Sequence, residues 1–176
     1  MTTISLNAPT IELEQKFKNQ ADMAMQSLYF TAEGAENDIL NLTVTNPTVL
    51  QGFEKNKYDK EQATLCVSMS EIGEIDGLYQ QLEEHVRRVW KFKNFELKHP
   101  VWKGRMTVKF PYNGNVNVKD GESYSVKDIK YVNKLLNDPT KIASLVMTVK
   151  FWGQEQKEKK LFKGGFYLTL SEVVLA

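Results

Sequence analysis

Hydrophobic and polar residues alternate along most of this chain, and the alternation breaks once near the middle. A period of two residues predicts half-buried strands at 39–45, Ala63–Met69, Val101–Phe110, Asn115–Lys119, Ala143–Trp152 and Leu161–Leu175. Between residues 76 and 91 the apolar positions are spaced three and four apart, which predicts an amphipathic helix with Asp76 as its N-cap. A shorter helix is predicted over residues 125–137, and Asn113-Gly114 is typical of a hairpin turn.

The order of these elements predicts a mainly β (α+β) fold and a single domain over residues 1–176. Short strands with little helix between them favour a small barrel, with the long helix between the third and fourth strands and a second short helix later. Residues 1–27 include Pro9, and proline is confined to edges or irregular parts of a sheet. We therefore expect this segment to be an N-terminal arm or an edge strand packed on the barrel.

Composition and motifs remove several functional classes. One cysteine and two histidines exclude a disulfide framework and argue against a zinc site, and Cys66 is expected to be a buried, inert thiol of an apolar strand. The sequence has no glycine-rich phosphate loop, no His-Glu-x-x-His pattern and no Gly-x-Ser-x-Gly pattern. We expect a protein that is not an enzyme and uses no cofactor. Without a membrane-length apolar run or a leader pattern, a cytoplasmic location is expected.

Charge is segregated along the chain, although the net charge is only +1. Residues 1–88 have a balance of −7 and residues 89–176 a balance of +8. Of the 23 cations 20 are lysines, whose compact ammonium group suits phosphate contact better than recognition of base edges. A basic half rich in lysine indicates a polyanionic partner that is bound without sequence specificity.

Cations and aromatic rings of the basic half form the candidate site. On the predicted strand 101–110, Lys103, Arg105 and Lys109 share one face. Side chains on one face of a strand repeat at about 6.5–7 Å, close to the phosphate spacing of an extended single strand. Lys150 and Trp152 share a face of a later strand. The other candidates lie nearby in sequence: Tyr112, Lys157, Lys159, Lys160, Phe162, Lys163 and Phe166. Cationic grooves with stacking rings are typical of proteins that bind single-stranded nucleic acid.

Simpler interpretations of the same residues stay open. A strand with cations on one face is often only a solvated sheet face. Trp102 has the same parity as Met106 and Val108, which favours a core position for its ring. If the basic surface does bind a polyanion, we expect four cations near the end of the long helix to extend that surface and to contribute more weakly to binding: Arg87, Arg88, Lys91 and Lys93.

The closing segments resemble the final hairpin of viral and bacteriophage single-stranded DNA-binding proteins. A strand with aromatic residues, KIASLVMTVKFWG at 141–153, precedes a lysine-rich loop and a glycine-marked strand, KGGFYLTLSEVVL at 163–175. Residues 101–118, VWKGRMTVKFPYNGNVNV, are similar to the central strand and hairpin of the same proteins. The resemblance covers roughly residues 95–175. It implies an OB-fold and sequence-independent binding that coats and protects single strands during DNA replication, recombination or repair.

The resemblance also sets the expected partners. Single-stranded DNA is the expected ligand, with RNA as the alternative, while a homo-oligomer and replication proteins are further candidate partners and no membrane partner is expected. For a viral protein the location would be the host cytoplasm or the site of DNA replication. The rival function is that of a viral structural or assembly protein whose basic half binds a protein partner.

Overall fold

The computed structural model describes residues 2–6, 11–20, 23–32, 40–90, 94–156 and 160–176. Within these ranges the chain is mainly β, as the sequence predicts, with two α-helices, α1 (Gly73–Trp90) and α2 (Ile129–Leu136). The strands are β1 (Thr3–Leu6), β2 (Ile11–Gln20), β3 (Met23–Ala32), β4 (Asn41–Thr45), β5 (Thr48–Lys55), β6 (Glu61–Cys66), β7 (Asn94–Lys98), β8 (Val101–Trp102), β9 (Arg105–Lys109), β10 (Val116–Asp120), β11 (Ser123–Lys127), β12 (Ile142–Gln156) and β13 (Leu161–Leu175).

The strands form one open mixed sheet. Its main path runs β1-β4-β12-β13-β9-β6-β5, and no pairing between described strands joins β5 to β1. The small OB-fold-like barrel expected from the sequence is therefore not what these strand pairs form. The sheet stays open because its two end strands, β1 and β5, are not paired with each other within the described ranges, while β13 pairs with β12 on one side and with β7, β9 and β10 in succession on the other. Within the segment 1–27, β1 is an edge strand of this path, paired with β4, and β2 pairs with β3.

The long helix has the predicted amphipathic character but a different place in the chain. Six described strands precede α1, so the prediction that it lies between the third and fourth strands is wrong. The helix begins at Gly73, and Asp76 lies in its first turn instead of capping it. Its buried stripe follows the predicted spacing and consists of Ile75, Leu78, Leu82 and Val86.

The second helix is shorter than predicted because β11 occupies the first part of its expected range. Asp128 caps α2, and its side chain accepts a hydrogen bond from the Tyr131 N–H at 3.0 Å. Asn133 then fastens α2 to β5: its Oδ1 accepts from the Phe53 N–H at 2.8 Å, and its amide donates to the Phe53 carbonyl at 3.1 Å. This double hydrogen bond holds β5, at the end of the sheet, against the helix.

The central strands bury one face and leave the other in contact with solvent. The inward residues of β9, β12 and β13 are almost wholly buried, and they are Met106, Val108, Leu145, Met147, Leu168 and Leu170. The outward residues align across strands, with Thr64 opposite Thr107 and Lys150 opposite Tyr167. Cys66 belongs to this outward set and is exposed, which corrects the expectation of a buried thiol. Alternation explains its position, because Leu65 and Val67 point inward.

The segment predicted as one strand from Val101 to Phe110 is a hairpin. Lys103 and Gly104 have φ angles of 50° and 71°, which is the conformation of a two-residue turn, and Trp102 is paired with Arg105 across it. The turn reverses the chain, so Trp102 lies on the outward side with Arg105 and its ring is 70% exposed. The core position inferred for Trp102 from its parity is therefore wrong.

Candidate nucleic-acid interface

An open groove of about 870 Å³ lies on the outward face of the sheet. Its floor is made by outward residues of β6, β9 and β13, which are Gln62, Thr64, Arg105, Thr107, Lys109 and Tyr167. The rest of the lining comes from β5, from the β5–β6 turn, from the end of β7 and the segment after it, and from β12 and β13: Leu50, Gln51, Asn56, Lys57, Tyr58, Lys60, Lys98, His99, Pro100, Trp102, Trp152 and Phe166. We call this surface the cationic groove.

The cationic groove has positive charge without a carboxylate in its lining. Five cations line it, Lys57, Lys60, Lys98, Arg105 and Lys109, and none of the lining residues in the described part of the chain is Asp or Glu. No ion pair found among the described residues includes Lys60, Lys98, Arg105 or Lys109. The positive potential of the groove is thus left uncompensated by acidic neighbours, as a site for an anionic ligand requires.

Two of the lysines, Lys60 and Lys98, lie close enough to Lys109 to repel its charge. Burial is the main factor that lowers the pKa of Lys109 from its usual 10.5, and the charges of Lys60 and Lys98 lower it further. Lys60 lies in the turn before β6, Lys98 is the last residue of β7 and Lys109 is the last residue of β9. A bound phosphate would relieve this repulsion, because it places a negative charge among the three cations.

Aromatic rings stand among these cations. Tyr58, Trp102, Trp152, Phe166 and Tyr167 all contribute to the lining of the groove. Tyr58 and Trp102 are exposed, whereas Trp152 is half-buried on the outward face opposite Gly165. The Lys109 Nζ lies 4.3 Å from the centroid of the Tyr167 ring. Rings with open faces beside cations provide stacking surfaces together with phosphate contacts.

A histidine fixes the segment that precedes Trp102. The His99 Nδ1 accepts a hydrogen bond from the Val101 N–H at 3.0 Å, so the proton of the neutral ring is on Nε2, which lies 2.6 Å from the Asp76 Oδ1. His99 therefore joins this side of the groove to the first turn of α1. Its role is consistent with a positioning residue for the segment 98–102.

A glycine allows β7 to approach β13 beside the groove. Gly165 is paired with Lys98, and a Cβ added at Gly165 would lie 2.8 Å from the Lys98 carbonyl oxygen. Any larger residue would push Lys98 away from the sheet. The glycine pair noted in the sequence at 164–165 thus places one of the groove's lysines.

Four of the predicted site residues line the cationic groove: Arg105, Lys109, Trp152 and Phe166. The Phe166 ring is only 3% exposed, so its contribution is an edge of the wall and not a free stacking face. Lys150 lies next to the groove, opposite Tyr167 on the outward face, and lines a neighbouring polar groove. The structure thus brings Lys150 to the same face as Arg105 and Lys109.

The remaining predicted residues lie elsewhere. Lys103 is in the β8–β9 turn and does not continue the row on β9, and Tyr112 is fully exposed in the turn after β9. Lys160 is exposed in the turn before β13. Lys163 lies 3.7 Å from the Glu96 carboxylate, which offsets its charge. Lys157 and Lys159 fall outside the described residues.

Phe162 does not fit the predicted stacking role because its ring is wholly buried. The ring packs against Gly153 and Gly164, where an added Cβ would be 2.5 Å and 3.0 Å from ring atoms. Tyr167, five positions later, faces outward and lines the groove instead. The two-residue period places 162, 166 and 168 inward and 167 and 169 outward, so the signal for Tyr167 was present in the sequence.

The other missed residues come from segments distant in sequence. Lys57, Tyr58 and Lys60 belong to the acidic half of the chain, and the pairing of β6 with β9 brings their turn to the groove. Lys98 arrives through the parallel pairing of β7 with β13. The site therefore draws on both halves of the chain.

Of the cations expected to extend the positive surface from the long helix, Arg87 and Arg88 are not among the residues that line the groove. The Arg87 guanidinium is 2.9 Å from the Glu83 carboxylate and its centre is 4.5 Å from the Phe95 ring centroid. Arg88 is exposed on the same helix. Lys91 and Lys93 fall outside the described residues. The described part of this helix end is thus engaged in local contacts.

Comparisons with known proteins give one structural likeness. No protein-family model matches the chain, and no curated protein matches it in sequence. The structure is similar to a C-terminally truncated single-stranded DNA-binding protein from bacteriophage Enc34, with a TM-score of 0.43 and 13% identity over 93% of this chain and 92% of that one. By its name, the Enc34 protein is a bacteriophage single-stranded DNA-binding protein, the class that the closing segments of this chain resemble. Neither helix in the described ranges is long and apolar enough to cross a membrane.

Proposed function

We propose that this chain is a non-enzymatic protein that binds single-stranded DNA in the cationic groove, largely independently of base sequence. The observation that carries the proposal is the composition of the groove: five cations and four aromatic rings that are exposed or half-buried, without a carboxylate in the described lining. Phosphates would bind among Lys60, Lys98 and Lys109, where the repulsion of Lys109 by the other two favours an anion. Unpaired bases would stack on Trp102 and Trp152.

The chemistry of the groove favours single strands with little sequence preference. Four of its five cations are lysines, and lysine contacts phosphate as a flexible point charge. Stacking requires unpaired bases and accepts every base, because each has a π-face. The wider proposal is that the protein coats and protects single strands during DNA replication, recombination or repair. RNA binding, self-association and contacts with replication proteins stay predictions.

The exposed thiol of Cys66 provides a reporter for the test. Cys66 is the single cysteine of the chain and is paired across strands with Arg105, which lines the groove. A fluorophore on Cys66 should change its emission when an oligothymidine is added. The apparent affinity should fall steeply with salt, with a slope of about 0.7 in log K per log salt for each phosphate contacted. A duplex of equal length should bind more weakly.

Two results would contradict the proposal. A flat salt response would mean that phosphates are not the bound groups. Equal competition by polyglutamate would favour the rival function, in which the basic surface binds an acidic protein partner. Unlabelled protein titrated into an oligothymidine that carries the fluorophore, read by anisotropy, controls for interference by the label on Cys66.

A further inference from the structure

A second groove of about 480 Å³ adjoins the cationic groove on the same face of the sheet. The two surfaces meet on β13, where Tyr167 of the first groove is opposite Lys150 of the second, and Thr169 of the second is beside Lys109 of the first. Neighbouring strands are about 4.8 Å apart. A ligand that leaves the cationic groove at Lys109 therefore enters the second groove without crossing a gap.

The second groove differs in chemistry from the first. Lys150 is the single cation among the described lining residues. The other polar lining residues are three asparagines and three hydroxyl residues: Asn113, Asn115, Asn117, Thr148, Thr169 and Ser171. We call it the asparagine groove. A surface of amides and hydroxyls offers donors and acceptors of hydrogen bonds but little attraction for phosphate.

The amides of this groove are largely uncommitted. The Asn113 Oδ1 accepts a hydrogen bond from the Asn115 N–H at 3.1 Å, which shapes the turn and leaves the Asn113 amino group available. No hydrogen bond is found from the side chains of Asn115 or Asn117 to any described residue, and both residues are exposed. The Ser171 hydroxyl donates to the Val146 carbonyl at 2.9 Å and retains its capacity to accept.

A carboxylate residue lies next to two lining residues of the asparagine groove. Glu172 is in register with Asn117 across the parallel β10–β13 pair, next to the lining residue Ser171. A phosphate near this carboxylate would be repelled, whereas the edge of a base would not. Asparagine can both donate to and accept from a base edge, and the edges of unpaired bases are free for such contacts.

We propose that the asparagine groove holds the continuation of the strand bound in the cationic groove and contacts base edges, not phosphates. This inference rests on the proposed function. It divides the interface into a salt-dependent part that neutralises phosphates and a salt-independent part that hydrogen-bonds to bases. The affinity would then rise in two increments as the oligonucleotide is lengthened, the first from the cationic groove and the second from the asparagine groove. The second increment would depend modestly on which bases are present.

The test compares the N115A/N117A double variant with wild type on short and long oligonucleotides of mixed sequence. We expect the double variant to bind the long oligonucleotide about 5- to 30-fold more weakly, from two lost hydrogen bonds, and the short one equally well. The salt slope should not change, because no phosphate contact is lost. N94A is the matched control, since Asn94 is an exposed strand asparagine outside the lining of both grooves.

Abasic positions separate bases from phosphates directly. Two long oligonucleotides are compared, one with abasic residues at its 5′ end and one with abasic residues at its 3′ end. Both keep all their phosphates. For one of them, the wild-type protein should lose the additional affinity that it gains from the asparagine groove. The double variant should be insensitive to those abasic residues. Equal binding of both proteins to all long oligonucleotides, or a reduced salt slope in the double variant, would overturn the inference while leaving the proposed function intact. Absence of salt-dependent binding by wild type would instead overturn the proposed function.

Discussion

Two cation-rich regions of this molecule use positive charge in opposite ways. At the end of α1, Arg87 is held by Glu83 at 2.9 Å and lies over the Phe95 ring. In the cationic groove, the charges of Lys60 and Lys98 both lower the pKa of Lys109, and no carboxylate is present in the described lining. The local density of cations is thus a poor guide to a binding surface. What distinguishes the groove is that its cations repel one another and lack acidic partners.

Burial adds to this difference. Arg87 is largely exposed, so its ion pair is screened by water and salt. Lys109 is half-buried, and burial is the largest cause of its lowered pKa. A cation held in such a place destabilises the free protein slightly and gains more from an anion than a surface cation does.

The largest effect should come from removing groove charges. The double variant R105M/K109M should bind oligothymidine about 30-fold more weakly at low salt, because two charge-assisted contacts to phosphate are lost. Its salt slope should decrease by about 1.4, which corresponds to two phosphates on a single strand. Anisotropy titrations over a series of salt concentrations measure both quantities.

The matched control for the charge variant is K127M. Lys127 is also a strand lysine above a tyrosine, with its Nζ 4.7 Å from the Tyr131 ring centroid, but it does not line either groove. Its replacement should change the affinity by no more than about twofold. A loss as large as that of the groove variant would mean that total charge, and not the groove, attracts the ligand.

A smaller effect should follow from removing a ring. W152A should weaken binding about tenfold, since one base–aromatic stack contributes about 1–3 kcal/mol. The salt slope should stay at the wild-type value, and W152F should recover most of the affinity because it keeps a flat face. Y124A is the control, because Tyr124 is exposed but outside both linings. An altered salt slope in W152A would count against a pure stacking role.

The sequence was informative where a residue's role follows from its own strand. Two-residue alternation predicted the buried faces of β9 and β12, and it placed Arg105 and Lys109 on the opposite face of β9. The three-and-four spacing predicted the buried stripe of α1. These predictions succeed because the pattern of burial within one element is set by backbone periodicity alone.

The sequence was misleading where the path of the chain changes over one or two residues. The amino-acid sequence alternates through the turn at Lys103-Gly104 as it would in one continuous strand. The turn nevertheless reverses the chain and places Trp102 on the outward side. Lys60 and Lys98 reach the groove through strand pairings between distant segments. No local pattern encodes such pairings, because they depend on which strands meet in the folded sheet.

Proton uptake on DNA binding gives a quantitative test of the contrast between the cationic groove and the end of α1. The unfolded chain binds more protons at Lys109 between its lowered folded-state pKa and 10.5, so the unfolding free energy should rise with pH across that interval. DNA should raise the pKa of Lys109 again, so binding within that interval should take up a fraction of a proton. Calorimetry in buffers of different ionisation enthalpy measures this uptake, and K109M should abolish the part due to Lys109. Unchanged uptake in K109M would show that Lys109 does not meet the phosphates.

The smallest effect on DNA affinity is expected from a substitution at the end of α1, the second of the two cation-rich regions. R87M removes an i, i+4 ion pair, which contributes about 0.3–0.5 kcal/mol, and a contact with the Phe95 ring of about 0.5–1 kcal/mol at an exposed site. The unfolding free energy from urea titration should therefore fall by about 1 kcal/mol. Affinity for oligothymidine should change by less than about twofold, because the charge of Arg87 is already matched by Glu83. A variant that folds as stably as wild type but binds DNA several-fold more weakly would reverse this assignment and extend the interface onto α1.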